Sequence, residues 1–362
     1  MDKQALKHII AACHRRGRPV AVSFCAHVPE EILEAAGFRS LRLYHVDGIE
    51  DLSGRTLPKN LCPAVKVCCS LCEGDALDEA DLIIAESSCD GKKKMFEILS
   101  RQDRLYYYQV PQGEDRAYVK PLIQSECRHL IGMLQQRFGA EVTEEGLRRA
   151  CRELNEERES VMDLLSVQKQ VPPAAWGREI LDALFQNRQI DSPLQRAAAN
   201  RKAQREFLAR TSPVPGHLPR LLVTGCPIGG VYQKVIAAIE NNGGVAVCFE
   251  TCETVKSCRH HVDDGAEDLI GAVADCYQDT ACAIMSPNAL RFSLVKELAE
   301  TYRVDGVVDV TLQTCHPYSI ERYKLRRFCG ELPVPYLAVE TDYSEADMGQ
   351  LATRLCAFME ML

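Results

Sequence analysis

The 362-residue sequence has no excess of basic charge: 43 Lys and Arg stand against 51 Asp and Glu, a net charge of -8. A nucleic-acid backbone or an anionic membrane surface needs a cationic footprint, so neither is an expected partner. Long apolar runs are missing as well. Nothing approaches the roughly 18 consecutive apolar residues of a membrane span, and between Met1 and Val20 only Ile9 to Ala12 is apolar before Cys13, His14, Arg15 and Arg16. That run is too short for a secretory core, so a cytoplasmic location is expected. Nucleotide-binding devices are absent too: there is no G-x-x-x-x-G-K-[ST] loop and no G-x-G-x-x-G after a strand. A G-x-S-x-G elbow and an H-E-x-x-H helix are likewise missing. Gly225 to Gly230 is glycine-rich and reads as a tight strand-to-helix turn.

What is there is ordinary globular composition, 46% hydrophobic and 26% charged, in a chain long enough for two to three domains at about 150 residues each. Short apolar runs alternating with helical stretches give the α/β signal. Val20 to Phe24, Leu41 to Val46, Leu82 to Ala85 and Leu105 to Val110 read as strands of a first domain. Pro29 and Gly37 bracket a short helix after the first of them. Three- and four-residue apolar steps through Leu147, Cys151, Leu154, Val161 and Leu165 then mark a helical connector, closed by Pro213, Pro215, Gly216 and Pro219. Leu221 to Val223, Val245 to Phe249, Ala281 to Met285, Val307 to Leu312 and Tyr336 to Val339 repeat the strand grammar. The expected architecture is two Rossmann- or flavodoxin-like parallel-sheet domains, residues 1–120 and 216–362, joined by a helical connector, 121–215. A last helix, roughly Ser344 to Met361, puts Met348, Leu351, Leu355, Phe358 and Met359 on one face. Glu86-Ser87-Ser88-Cys89-Asp90-Gly91-Lys92 and Glu250-Thr251-Cys252-Glu253-Thr254-Val255-Lys256 echo one another, as duplicated domains would.

The unusual number is 18 cysteines. A long chain with ample core residues and no secretory signal does not need disulfide staples, so thiols are expected. Cys13, Cys127, Cys151, Cys248, Cys276, Cys329 and Cys356 lie in apolar-periodic segments and are expected to fill cores. Others do not. Open α/β sheets bind ligands beyond the carboxyl ends of their strands, and there the sequence places Cys25, Cys89, Cys252 and Cys315, with Cys62 in a turn-rich loop. Converging thiolates repel one another unless a cation or cluster neutralises them, which suits an iron-sulfur centre. Helix N-termini and Lys92, Lys93, Lys94 and Lys256 would offset the charge. Zinc is the rival, but Cys69-x-x-Cys72 is a lone pair where structural zinc uses two.

Several runs resemble one known family. Cys25-Ala26-His27-Val28-Pro29-Glu30-Glu31, Leu57-Pro58-Lys59-Asn60-Leu61-Cys62-Pro63, Cys89-Asp90-Gly91-Lys92-Lys93-Lys94-Met95, Thr224-Gly225-Cys226-Pro227, Cys315-His316-Pro317-Tyr318 and Glu340-Thr341-Asp342-Tyr343-Ser344 are similar to segments of the double-cubane-cluster reductases. These belong to the 2-hydroxyacyl-CoA dehydratase superfamily. The resemblance implies a homodimer of two-domain protomers with two linked 4Fe-4S cubanes held by cysteines of both domains, fed with low-potential electrons by an ATP-hydrolysing iron-sulfur activator. Carried over by position, the implied ligands are Cys25, Cys62 and Cys89 in the first domain and Cys252, Cys282 and Cys315 in the second. Family members commonly read Cys-Ser-Cys where this chain has Cys282-Ala283-Ile284, and the segment after Lys66 is shorter and cysteine-rich, which makes Cys72 an alternative ligand.

The expected activity is reduction of a small molecule at the cluster, with iron as Lewis acid and electron source. Protons must come from groups within hydrogen-bond reach; His316 is the first candidate, with Glu30 and Glu321 behind it. Two other functions fit the resemblance: a subunit of a 2-hydroxyacyl-CoA dehydratase, which eliminates water from a CoA thioester by radical chemistry, or a non-catalytic electron carrier or cluster scaffold.

Overall fold

The computed structural model describes residues 1–99 and 102–362. In chain order it forms α1 (Lys3–Arg15), β1 (Val20–Ser23), α2 (Glu30–Ala35), β2 (Arg39–Arg42), α3 (Pro63–Glu73), β3 (Leu82–Glu86), α4 (Asp90–Ile98), β4 (Leu105–Tyr108), α5 (Val119–Phe138) and α6 (Glu144–Ser166). There follow α7 (Gly177–Asn187), α8 (Pro193–Ala209), β5 (Arg220–Gly225), α9 (Tyr232–Glu240), β6 (Val245–Glu250), α10 (Val255–Cys258) and α11 (Leu269–Gln278). The chain ends with α12 (Ala289–Thr301), β7 (Gly306–Leu312), α13 (His316–Glu331), β8 (Tyr336–Thr341) and α14 (Met348–Met359).

Two four-stranded parallel sheets result, ordered β2-β1-β3-β4 and β6-β5-β7-β8. Their inner strands are near-continuous apolar runs such as Leu82-Ile83-Ile84-Ala85 and Leu221-Leu222-Val223, buried along their whole length. That is the pattern of a parallel sheet covered by helices on both faces. The two orders are the same, so β1 answers to β5, β2 to β6, β3 to β7 and β4 to β8. The fold repeats, as the sequence suggests. The echoed segments, however, follow β3 and β6, which occupy different places in their sheets; the likeness between them is not that of equivalent loops.

The chain separates into two compact units. Unit 1 comprises Met1–Arg158, Asp191–Leu194 and His260–Asn288; unit 2 comprises Glu159–Ile190, Gln195–Arg259 and Ala289–Leu362. The helices of 121–215 are therefore shared between the units, and a piece from late in the sequence belongs to unit 1. The reason is visible in unit 1's core. Leu269, Val273 and Tyr277 of α11 pack with Val28, Ile32, Ile123, Cys127 and Leu130. Tyr277 donates its hydroxyl to Glu31 at 2.8 Å, Arg158 reaches the same carboxylate at 2.5 Å, and Asn155 exchanges two hydrogen bonds with Val262, 2.7 and 3.0 Å. This return of the chain places Cys282 in unit 1, whereas the sequence groups it with Cys252 and Cys315.

Ala281 to Met285, an expected strand, is a turn: Met285 donates its N–H to the Cys282 carbonyl at 3.0 Å, and Ser286 bonds Gln112 at 2.9 Å. A short apolar run has the composition of a buried strand but here lacks a neighbouring ladder. Among the core-filling cysteines, Cys13, Cys127, Cys151, Cys248 and Cys329 are buried, while Cys276 and Cys356 are half-exposed. No disulfide joins any cysteines of the described residues. On α14, Leu351, Leu355, Phe358 and Met359 are buried and Met348 is exposed. No described helix is long and apolar enough to cross a membrane.

In unit 2, α7 starts hard against β6: a Cβ on Gly177 would stand 2.3 Å from the Ala246 carbonyl oxygen. The N–H of Gly177 is received by Glu240, the last residue of α9, at 2.6 Å. Burial pushes the Glu240 carboxyl up to about 7 from its ordinary 4.5. The folded chain thus holds this proton more tightly than the unfolded one, and the stabilisation is full below about 4.5 and lost as pH rises through about 7. Glu240→Gln should match the native chain at pH 4.5 and exceed its stability at pH 8 by on the order of 1–3 kcal/mol, read from denaturant unfolding at both values. Equal stabilities at pH 8 would contradict this.

Candidate metal centre

In unit 1 the cysteines sit where strands end and helices begin. Cys25 lies two residues beyond β1, and its sulfur accepts the N–H of His27. Cys62 is the N-cap of α3, whose first residue, Pro63, suits the N1 position. Cys89 is the N-cap of α4, with the backbone N–H of Lys92 acting to stabilise its charged form but without a capping hydrogen bond. The positive end of the helix dipole favours a thiolate at an N-cap, but at Cys89 burial outweighs it and pushes the thiol up.

These sulfurs interact with one another and with a single buried cation. Cys89 feels Cys62; Cys25 feels Cys282; and Cys25, Cys68 and Cys89 all feel the ammonium of Lys92. Burial pushes Cys25 and Cys68 up to about 12, with Lys92 opposing it. Lys92 and Glu86, the last residue of β3, form a buried ion pair. Burial acts against the Lys92 charge, but Glu86 and the thiols hold its pKa well above the ordinary value. Of the α3 cysteines, Cys68 neighbours Cys62 and Cys89, while Cys72 is raised by burial and by Cys68 and Cys69. The additional thiol beside Cys62 and Cys89 is therefore Cys68.

Unit 2 repeats the arrangement. Cys315 caps α13 as Cys89 caps α4, each after the corresponding strand. Cys226 follows β5 as Cys25 follows β1, and is fully buried. Cys252 follows β6 and is also buried. Cys226 is absent from the ligand set expected from the sequence, where it reads as part of a turn; it stands after an inner strand of a repeated fold, at the place that Cys25 holds in unit 1. Gly225 sets its position with φ +127°, where a Cβ would be 2.0 Å from the Val310 carbonyl oxygen. Cys226 itself bonds that carbonyl through its N–H at 3.0 Å.

Behind the unit 2 cysteines lies a buried charge network. Lys256 pairs with Glu250 at 3.2 Å and donates to the Tyr318 hydroxyl at 2.9 Å. Arg291 pairs with Glu250 at 3.4 Å, with Asp309 at 3.8 Å and with Glu321. Of the candidate proton donors, Glu321 is thus engaged by Arg291. Glu30, in unit 1, is engaged by Arg42 at 2.7 Å and by the Ser40 hydroxyl at 3.1 Å. His316 is exposed on the first turn of α13, next to Cys315.

Among the described residues, no three of His, Cys, Asp and Glu are gathered as a single metal ion requires. A cubane asks for something else, one thiolate on each of several irons. Separate buried or half-buried thiols, two of them at helix N-termini and three of them, Cys25, Cys68 and Cys89, about one ammonium, have the donor chemistry that an anionic cluster needs.

The pattern described as "2-hydroxyglutaryl-CoA dehydratase, D-component" matches residues 25–362. The Escherichia coli (strain K12) protein YjiM, which carries the name of a dehydratase subunit, is 36% identical over 358 residues, 96% of this chain and 92% of its own. The chain belongs to the D-component family. The beta subunit of (R)-phenyllactyl-CoA dehydratase from Clostridium sporogenes is 19% identical over 98% of this D-component chain and 95% of its own length. One of the subunits of benzoyl-CoA reductase from Thauera aromatica is 21% identical over 95% and 91%. The family thus spans dehydratase and reductase subunits.

Ordered against Val310, Gly225→Ala should cost about 2–4 kcal/mol of stability. Gly243, also left-handed at φ +90° but with open space around a Cβ, should cost only about 1–2 kcal/mol as Gly243→Ala. Urea unfolding of both variants checks the difference; equal costs would remove the close contact as the cause.

Proposed function

We propose that this D-component chain is an iron-sulfur reductase of small molecules, of double-cubane type, acting in the cytoplasm as a homodimer and receiving low-potential electrons from an ATP-hydrolysing activator protein. The observation that carries the reading is the repeated placement of cysteine: Cys25 and Cys226 after β1 and β5, Cys89 and Cys315 as N-caps after β3 and β7. A family member built around one cubane needs about four ligand positions in all, whereas each unit here carries its own set. The proposed ligands are Cys25, Cys62 and Cys89 in unit 1 and Cys226, Cys252 and Cys315 in unit 2, with Cys68 and Cys282 as further thiols of unit 1.

When bound, the cluster would supply a Lewis-acidic iron and electrons of low potential. The chain's own part is to bind and to protect. Helix N-termini at Cys62, Cys89 and Cys315 favour the deprotonated sulfur, and burial of Cys25, Cys226 and Cys252 keeps water from it. His316 is the proposed proton donor, since it is exposed to solvent beside a ligand cysteine. Glu321, held by Arg291 in the same unit, is proposed to support it through charge and not through direct transfer, whereas Glu30, held by Arg42, belongs to unit 1.

A second reading, a subunit of a 2-hydroxyacyl-CoA dehydratase, is favoured by the beta-subunit name of the Clostridium sporogenes relative. Turnover by this chain with activator, ATP and a strong reductant supports the reductase; dependence on a second homologous subunit supports the dehydratase. Activator-independent electron transfer without turnover marks a carrier.

Anaerobic purification followed by iron and sulfide quantitation and electron paramagnetic resonance should give about eight irons per chain. Cys89→Ser, Cys315→Ser and Cys226→Ser should each lower bound iron by about half or more, while Cys356→Ser should leave it unchanged. Stoichiometric zinc in place of iron would overturn the proposal.

A further inference from the structure

The two echoed segments end in lysines that do the same thing. Lys92, on the first turn of α4, donates to the carbonyl oxygen of Phe24 at 2.6 Å, and Phe24 immediately precedes Cys25. Lys256, on α10, donates to the carbonyl oxygen of Gly225 at 2.9 Å, and Gly225 immediately precedes Cys226. Each lysine also pairs with the glutamate six residues before it, Glu86 or Glu250, the last residue of its strand. β3 and β6 lie next to β1 and β5, so each lysine reaches across to the end of its neighbouring strand. Both lysines are buried, whereas Lys93 and Lys94 are exposed.

Stability alone does not explain such pairs. An ammonium and a carboxylate taken out of water lose much of their attraction to desolvation, and apolar residues of similar volume often serve better. What distinguishes Lys92 is its surroundings, the sulfurs of Cys25, Cys68 and Cys89. A cluster held by thiolates is anionic, and its reduction by one electron adds one more negative charge. A fixed cation beside it lowers the energy of the reduced form more than that of the oxidised form, and a fixed anion does the reverse.

We propose that Lys92 and Glu86 form a two-charge poise for the redox centre of unit 1, the lysine positioning Cys25 through the Phe24 carbonyl and raising the reduction potential, the glutamate lowering it. In unit 2, Lys256 holds the carbonyl before Cys226 in the same way, within a larger network in which Arg291 also pairs with Glu250. This inference rests on the iron-sulfur reading above.

The test compares the full chain, reconstituted anaerobically, with Lys92→Met, Glu86→Gln and the double variant. Each is assayed for iron and sulfide and titrated with dithionite, which supplies the electron and is oxidised to sulfite, under paramagnetic resonance. Lys92→Met should shift the midpoint of at least one signal to a more negative value, Glu86→Gln should shift the same signal to a more positive one, and the double variant should fall between them. Opposite signs are the mark of charge; a purely structural role would lower iron content in both single variants without separating their midpoints. If Lys92→Met fails to hold iron, Glu86→Gln alone decides, because it keeps the lysine and the shape of the pair. A Glu86→Gln midpoint at or below the native value overturns the inference while leaving the iron-sulfur reading standing. Absence of iron from the native chain overturns both.

Discussion

A parallel sheet brings the carboxyl ends of all its strands to one edge, and helices start there with their N–H groups open. This chain puts cysteine at that edge in both sheets. The geometry does two things for a sulfur atom. It leaves Cys62, Cys89 and Cys315 on the positive ends of helices, and it buries Cys25, Cys62 and Cys226 and, in part, Cys89. The first favours a thiolate and the second opposes it. Burial holds Cys25 and Cys68 as thiols, pushed up to about 12, so a metal must take the place of a proton to use them.

The two units balance the resulting charge differently. Unit 1 relies on one ammonium, Lys92, facing one carboxylate and several thiols. Unit 2 has three buried carboxylates, Glu250, Asp309 and Glu321, around two cations, Lys256 and Arg291. Burial pushes Asp309 upward, toward its neutral form, with Arg291 opposing the shift. The Tyr336 hydroxyl donates to Asp309 at 2.6 Å, so that carboxylate is fixed from both sides. The rings help: Lys256 and Arg291 stand 4.9 and 5.0 Å from the centre of Tyr318, within the reach of cation–π attraction. Buried charges on this scale restrict how the helix after β7 can sit, because moving α13 would break contacts of both Tyr318 and Glu321.

The inner strands were legible because their apolar runs are buried along their length, whereas β2, Arg39–Arg42, starts before the expected Leu41 to Val46 run because it carries arginine at both ends; the cysteine loops were legible because strand ends are. Ala281 to Met285 shows the limit of that reading: five suitable residues do not make a strand without a partner to pair with. Cys226 was hidden by its glycines, which suggest a turn, although its position after a strand is the same clue that exposed Cys25. The depth of Lys92 and Lys256 was readable in principle. An otherwise apolar strand that ends in glutamate, with a lysine six residues later, occurs in both halves, and a buried carboxylate calls for a cation. The membership of Cys282 was not readable at all, since it depends on packing between residues far apart in sequence.

That packing also decides what can fold as a piece. Residues 1–158 contain the first sheet but not α11, and without α11 the apolar faces of Ile123, Cys127 and Leu130 lose Leu269, Val273 and Tyr277. Glu31 and Arg158 would keep each other but lose the Tyr277 hydroxyl that both engage. A core stripped of one helix exposes apolar surface and leaves polar groups short of partners, and together these costs compare with a domain's margin of about 5–15 kcal/mol. Unit 1 is therefore completed only when the chain has passed through β6 and returned, and the same return delivers Cys282 to the neighbourhood of Cys25. The sulfurs of unit 1 are assembled by tertiary structure drawn from both halves of the sequence, which is why no contiguous first domain can carry them all.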